Sequence, residues 1–417
     1  MHFKLSYFFT SKGATDLLVF MTWGGALVSI VTAIFLRIPA LNSLAQAAVP
    51  LLFILTALVA VPNISRRMRI TDVLLYLGIA VVYIFQYILF PKNSEQLDEH
   101  ALRFFFSCLP LFYVGLAIDF EKYEKPLYYI SIACLAWAYF YSLLYKQQDV
   151  VGYSGDLDDL KQYASMHLAY TYLPHVLYLI YFSFKKFNVI NILLSIAGVF
   201  LIFSYGSRGP VLCIIVYIVG LILFLRKLKH PVLVWITAGI AFILFYIYVE
   251  QIMLYLQLFL EELGMRTRIA DKYLGEELGD SSGRNEFVQI LMPVIRSGGL
   301  WGYGICGSWQ FIGSYPHNLL LDLWVSFGMF PGSIVFMAIL FIIIKGFHGC
   351  SSDQEKAFLF LLMVRGFIML FFSYNYLENG FLFMLLGYSV HLWRRRYLGN
   401  AAKSDRGPIN NRLIIAK

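Results

Sequence analysis

Apolar runs long enough to cross a bilayer recur along almost the whole chain, and they decide its fold class. We read twelve of them: 17–36, 41–61, 72–91, 102–118, 127–145, 166–184, 188–207, 209–225, 231–249, 329–344, 357–373 and 379–393. A helix needs about 20 apolar residues to cross, within a range of about 17–25. The eleventh and twelfth runs are short and lie close together. Composition agrees: 59% of the residues are hydrophobic and 14% are charged, against about 25% charged in soluble domains. The chain is therefore read as an all-α, polytopic integral membrane protein of about 12 transmembrane helices. The first run, Leu17 to Leu36, is itself long enough to span and is read as a membrane helix, with no cleavable signal peptide before it. No internal repeat is visible, which disfavours repeat-built transporters.

The formal net charge is +8, but the basic residues do not form a groove or stripe, so no nucleic-acid partner is expected. They fall in short loops and in the C-terminal tail. With the N-terminus in the cytoplasm, 21 of the 33 Lys and Arg residues lie in cytoplasmic segments and 6 in short outer loops. This bias places both termini in the cytoplasm. The organisation that follows is membrane helices one to nine over 1–249, a large outer loop domain over 250–328, helices ten to twelve over 329–393, and a basic tail over 394–417. Cys108, Cys134 and Cys213 fall in spans, and Cys306 and Cys350 in different loops. That spacing gives neither a disulfide framework nor a zinc site.

The long outer loop has local structure. In SSGRNEFVQILMPVIRSGG, residues Phe287, Ile290, Leu291, Val294 and Ile295 recur at helical spacing before Gly298-Gly299. They predict a short amphipathic helix lying at the interface. Downstream, GSYPHNLLLDLWVSFG reads as a second interfacial helix. Pro316 suits its first position and Ser314 suits its cap. The chain then turns at Gly328 and Pro331-Gly332 into the tenth span. His317 would sit in the first turn of that helix, where the helix dipole disfavours the imidazolium and keeps the ring able to accept a proton.

Two arginines share this placement. Arg208, in SYGSRGPVL, starts the eighth span; it is either a snorkelling anchor or, with small neighbours exposing backbone N–H groups, part of an anion seat. Arg284, in DSSGRNEF, opens the loop helix. Guanidinium groups match phosphate oxygens bidentately, and helix N-termini add positive potential. The guest that fits is a diphosphate beside a group that must lose a proton. Outside a plasma membrane, activated sugars arrive already linked to a lipid. His317 would be the general base for an acceptor hydroxyl, and Arg208 and Arg284 would offset charge on the departing diphosphate. No DxD-type carboxylate pair lies near these arginines, so neither a metal nor a cofactor is expected. The acidic run at Asp156–Asp159 is on another outer loop and reads as a solvated turn.

The motifs GSRGP at the start of a mid-chain span, SGR opening a loop helix, and GYGICGSWQ…SYPHNLLLDLWVSFGMFPG together resemble the bacterial O-antigen polymerase and O-antigen ligase superfamily. The resemblance covers about Ser204 to Gly332; elsewhere only span count and topology match. It implies a multi-pass inner-membrane enzyme working at the periplasmic face. The substrate it implies is an undecaprenyl-diphosphate-linked oligosaccharide, transferred by metal-independent inverting chemistry. Membrane lipids surround such a protein, and a chain-length regulator is a partner to consider. The family's two arginines and its histidine map onto Arg208, Arg284 and His317. Proline directly before histidine looks more like polymerases, of O-antigen, capsule or exopolysaccharide, than like ligases, which deliver the chain to lipid A-core.

Other candidates lie close by. Arg365 is a charge inside a span and either pairs with an intramembrane polar group or serves a carrier phosphate. Asn318, Tyr315 and Asp322 accompany His317; Asp322 orients it, binds acceptor or lies on a solvated face. Tyr376, in SYNYLENG, either contacts sugar or belongs to the interfacial aromatic belt. His167 and His175 read as packed polar residues. The rival class is a flippase or transporter for lipid-linked sugars, which would hold its ionisable groups near the midplane and not at one surface.

Overall fold

The computed structural model describes residues 7, 9–25, 52, 54–144, 157–205, 207–224, 254–255, 258, 284–298 and 300–404. Among them every regular element is helical. The expected ninth span, 231–249, and most of the first two lie outside the described residues. In chain order the helices are α1 (Ser11–Trp23), α2 (Ile54–Ser65), α3 (Ile70–Leu89), α4 (Ser94–Arg103), α5 (Leu111–Ala117), α6 (Phe120–Leu144), α7 (Leu157–Lys185) and α8 (Val189–Ser204). They continue as α9 (Arg208–Phe224), α10 (Arg284–Ser297), α11 (Trp309–Ile312), α12 (Leu319–Phe327), α13 (Met329–Gly349), α14 (Asp353–Gly366) and α15 (Gly380–Ser404).

Three helical stretches among the described residues are long and apolar enough to cross a bilayer: Ile70–Leu89, Pro91–Ala117 and Met329–Gly349. The second corrects a sequence expectation. Residues 102–118 do not form one straight helix; a short 3-10 turn at Pro91–Asn93 leads into α4, a π-helical segment at Phe104–Cys108 follows, and Pro110 precedes α5. Wider π turns accommodate insertions in a helix and recur at functional sites. The expected eleventh span is also shorter: α14 stops at Gly366 and passes into a 3-10 turn, Ile368–Phe371. Leu157–Asp159, expected as a solvated acidic turn, instead begin α7.

The surface pattern is inverted relative to a soluble protein. On α3 the buried residues are Asp72, Tyr83 and Gln86, while Ile70, Ile84, Ile88 and Leu89 are exposed. On α13 the buried positions are Gly332, Ile343, Gly346 and Gly349, whereas Phe330, Met337 and Phe341 face outward. Helices that present apolar residues outward and small or polar ones inward are built for a lipid surround, where packing and hydrogen bonding drive association. Close approach is visible at Gly115 and Gly387: a Cβ on the first would lie 2.3 Å from the Met384 carbonyl oxygen, and on the second 1.9 Å from that of Phe112. Helices α5 and α15 therefore meet backbone to backbone.

At the centre stands α7, buried on all sides from Tyr172 to Phe182. Helices α6, α8, α9 and α14 pack around it, and α15 joins α14, α13 and α5 into the neighbouring layer. His175 is buried there with Trp23 edge-on at 5.9 Å, as expected of a packed residue; the side chain of His167 lies outside the described part.

One end of the bundle is closed by ion pairs. Arg394 grips Asp72 bidentately at 2.7 and 2.6 Å. Arg395 grips Glu355 at 2.7 and 2.6 Å. Lys122 pairs with Asp16, and Lys185 with Glu124. These four pairs tie α15 to α3 and α14, α6 to α1, and α7 to α6.

Candidate functional site

The opposite end carries the residues singled out by sequence. Its frame is the GYGICGSWQ segment. Asn93 donates to the carbonyl oxygens of Tyr303 and Ile305, both at 2.9 Å, and accepts from Gln310 Nε2 at 2.6 Å. Gln86 Oε1 accepts from the Ile305 N–H at 3.0 Å. On its other side, Tyr303 N–H donates to the Val325 carbonyl at 2.8 Å, and Gly304 N–H to that of Ser326 at 3.0 Å. The segment is thus clamped between α3–α4 and the C-terminal end of α12. The chain then turns at Gly328, whose φ of +84° suits glycine, directly into α13. That corner is where the sequence places it.

The start of α12 differs from expectation. Its cap is Asn318, whose Oδ1 accepts from the N–H groups of Leu320 and Leu321 at 3.0 and 3.2 Å. Pro316 is not in the first turn and Ser314 is not the cap. The reason is local: one asparagine oxygen satisfies two of the helix's orphan donors. His317 therefore immediately precedes the cap, with a left-handed φ of +53°. Its ring lies parallel to Phe287 of α10, centroids 6.3 Å apart at 9°, and 4.3 Å from the ring of Tyr315. Phe287 is one turn beyond Arg284, the first residue of α10. Helix α10 docks on α12 by burying Leu291 and Ile295 against Leu321 and Val325. Val288 and Ile290 stay exposed. The structure therefore joins His317, Tyr315 and Asn318 to the helix that Arg284 opens; the side chain of Arg284 is outside the described part.

Arg208 begins α9, as expected, and is half-buried. Its neighbour Gly209 packs on Tyr170: a Cβ there would come within 2.5 Å of the Tyr170 hydroxyl. Tyr170 meets Tyr374 edge-on, centroids 5.3 Å apart. Tyr374, with φ +68°, lies in turn against Arg365, whose guanidinium is 5.3 Å from its ring and 4.7 Å from that of Phe381. The start of α9 and Arg365 thus belong to one aromatic cluster. Arg365 lines a cavity of about 250 Å³ with Arg103, Glu378, Asn379, Thr171 and Trp23. Arg208 and His317 are not among the described lining residues. The 3-10 turn at Ile368–Phe371 touches both α12 and α9 and so connects the start of α9 to the helix that His317 precedes.

Asp322 corrects another expectation. It is buried and does not lie on a solvated face. Its electrostatic neighbours include His100, Cys306 and Tyr376. Burial pushes its carboxyl up to about 7, with the His100 charge opposing. Tyr376 is half-buried as a residue and its hydroxyl is enclosed beside Ser326. Glu378 lies 3.3 Å from His100 Nδ1 and 2.9 Å from Arg103; those two partners hold its carboxyl below the ordinary value against the opposing effect of burial.

His100 and Arg103 were not selected from sequence. The signal was the run EHALR opening a stretch otherwise apolar, where one helical turn separates the two residues and puts both on one face. A further regularity concerns strain. Among the described residues the non-glycine positions with positive φ are Cys306, His317 and Tyr374. Each such conformation costs about 1–3 kcal/mol, and such residues cluster at active sites and ligand clamps. All three lie at this end of the molecule. Comparison of the chain with protein families, with curated proteins and with solved structures returns no match.

Proposed function

We propose that this chain is a polysaccharide polymerase of the bacterial inner membrane, multi-pass, with both termini cytoplasmic and its site periplasmic. It transfers a glycan from an undecaprenyl-diphosphate donor to an acceptor sugar on another lipid-linked repeat unit. The acceptor hydroxyl oxygen forms a bond to the anomeric carbon as the bond from that carbon to the diphosphate oxygen breaks. His317 takes the hydroxyl proton, a role worth about 10²–10⁴-fold in rate. Arg208 and Arg284 stabilise the departing diphosphate.

The observation that carries this reading is the setting of His317. A strained backbone and two aromatic rings, Phe287 and Tyr315, orient a proton-accepting side chain at the end of the helix pair that Arg284 opens. Orientation of that kind is what a general base requires and what a packed core histidine does not. In the test, membranes holding a lipid-diphosphate repeat unit are assayed for a ladder of longer products. His317→Ala binds donor and makes no ladder; robust elongation by that variant refutes the general-base role. Arg208→Ala or Arg284→Ala weakens donor capture, and unchanged capture by both refutes the diphosphate seat.

A further inference from the structure

The cavity at Arg365 holds a charge that the chemistry assigned to His317, Arg208 and Arg284 does not use. Arg365 is 6% exposed, yet no described carboxylate pairs with it. Its contacts are the Tyr374 hydroxyl and ring, the Phe381 ring, and long approaches to Asn379 Oδ1 at 3.4 Å and Met369 Sδ at 3.6 Å. None of these carries a negative charge, and a buried cation left without one is costly. The described charged residues that line the cavity are Arg365, Arg103 and Glu378. Arg103 is 2.9 Å from Glu378 Oε1, so those two charges offset each other and the lining keeps one positive charge, that of Arg365. One positive charge calls for a monoanion. A carboxylate matches a guanidinium fork at that charge. A phosphate monoester, at about −1.5 to −2 near pH 7, exceeds it and meets the Glu378 carboxylate as well.

The rest of the lining tells what bears the carboxylate. The cavity measures about 250 Å³, below the roughly 300–1,000 Å³ of drug-sized sites, which is the scale of one ring. Thr22 lines it, with its hydroxyl oxygen buried and no hydrogen-bond partner. Both described contacts of Glu378, from His100 and Arg103, are made to Oε1, which leaves Oε2 able to accept. Trp23 and Phe381 add aromatic surface. Rings combined with a few hydroxyl and carboxylate groups suit a hydroxylated ring, its carbon face on the aromatics and its hydroxyls on the polar groups. Position agrees with this. Tyr374, on the cavity wall, meets Tyr170, which packs on Gly209 beside Arg208. A ring held here is a few side chains from the proposed diphosphate seat.

We propose that the Arg365 cavity is a specificity site for a sugar ring bearing a carboxylate, a hexuronate, so that the glycan this protein handles is acidic. The proposal rests on the glycosyl-transfer reading for where the sugar comes from, but its binding is measured without transfer. The test titrates the purified full chain in detergent, with no lipid-linked substrate, against glucuronate, glucuronamide, glucose and acetate. Glucuronate binds more tightly than the other three, and by about 10- to 100-fold over the neutral amide, the value of a charged hydrogen bond. Arg365→Gln removes the preference of glucuronate over the amide. Arg103→Gln, which leaves the Glu378 charge uncompensated by it, reduces the preference by about 2- to 5-fold, as befits an exposed group. Equal binding of glucuronate and glucuronamide by wild type overturns the proposal, and so does an unchanged preference in a folded Arg365→Gln. If that variant does not fold, an unchanged preference in Arg103→Gln overturns it. Acetate binding as tightly as glucuronate removes the sugar from the proposal. Elongation of a neutral repeat unit with no preference for glucuronate overturns this site and leaves glycosyl transfer standing. A glucuronate preference that Arg365→Gln removes, with no elongation of any repeat unit, upholds the site and refutes the transfer.

Discussion

Replacing Asp322 by asparagine removes one titrating proton and almost no volume. In the folded protein its carboxyl titrates at about 7, raised from an ordinary value of 3.8 by burial. Converted at about 1.4 kcal/mol per tenfold change, that displacement corresponds to about 4 kcal/mol as an order of magnitude. The sign follows from the direction. A carboxyl whose folded value is raised favours folding when protonated, so its contribution is full below about pH 4 and is lost as pH rises through about 7. Glu378, held low by His100 and Arg103, acts with the opposite sign over the acidic range. The difference between wild type and Asp322→Asn isolates the one group from the other. The assay is thermal unfolding of purified protein in detergent from pH 4 to pH 8. Near pH 4 the two proteins melt alike; by pH 8 the variant is more stable by several degrees. A difference between them that stays constant with pH would refute the burial argument and place the Asp322 carboxylate in contact with solvent or a cation.

Two further perturbations test the frame. Asn318→Ala removes both side-chain hydrogen bonds of the α12 cap, which costs about 0.5–2 kcal/mol, and lowers polymer yield more than it lowers the melting temperature, because His317 adjoins the cap; equal loss of both would make the residue purely structural. Glu355→Gln breaks the bidentate pair with Arg395 and costs about 1–3 kcal/mol at neutral pH, discounted for the exposure of Arg395. Although burial alone would raise the Glu355 value, Arg395 and Ser351 bring it below the ordinary one, so its stabilisation is present above the unfolded value and lost as pH falls through the folded one. The variant should therefore show a flatter acid limb in a melting-temperature profile.

The parts of this architecture legible in the sequence are those written in local signals. Arg208 and Arg284 do start helices, because Ser and Gly residues precede an apolar periodic run in each case. Gly328 does turn the chain, because only glycine takes its backbone cheaply. What was missed depends on what lies opposite a residue. Pro316 fits a helix start by itself, but Asn318 satisfies two backbone donors and takes the cap. Asp322 recurs with Asn318 and Ser326 as a polar stripe that could face water; only the docking of α4 and the 372–379 turn makes it interior. The helix break at Phe104–Cys108 has no strong local signature, so the pairing of Arg103 with Glu378 is not legible in the sequence. Arg365 was recognisable as a costly charge inside a span, but the absence of a described carboxylate beside it is a three-dimensional fact.

The central claim is that His317 activates the hydroxyl of a second lipid-linked repeat unit. Purified protein given one lipid-diphosphate donor, together with either a second repeat unit or a lipid A-core acceptor, measures it directly. Wild type is expected to consume the repeat unit, with one polyprenyl diphosphate released per bond formed, while His317→Gln retains donor binding and forms no bond. Consumption of the lipid A-core acceptor in its place, or transfer by His317→Gln at the wild-type rate, would contradict it.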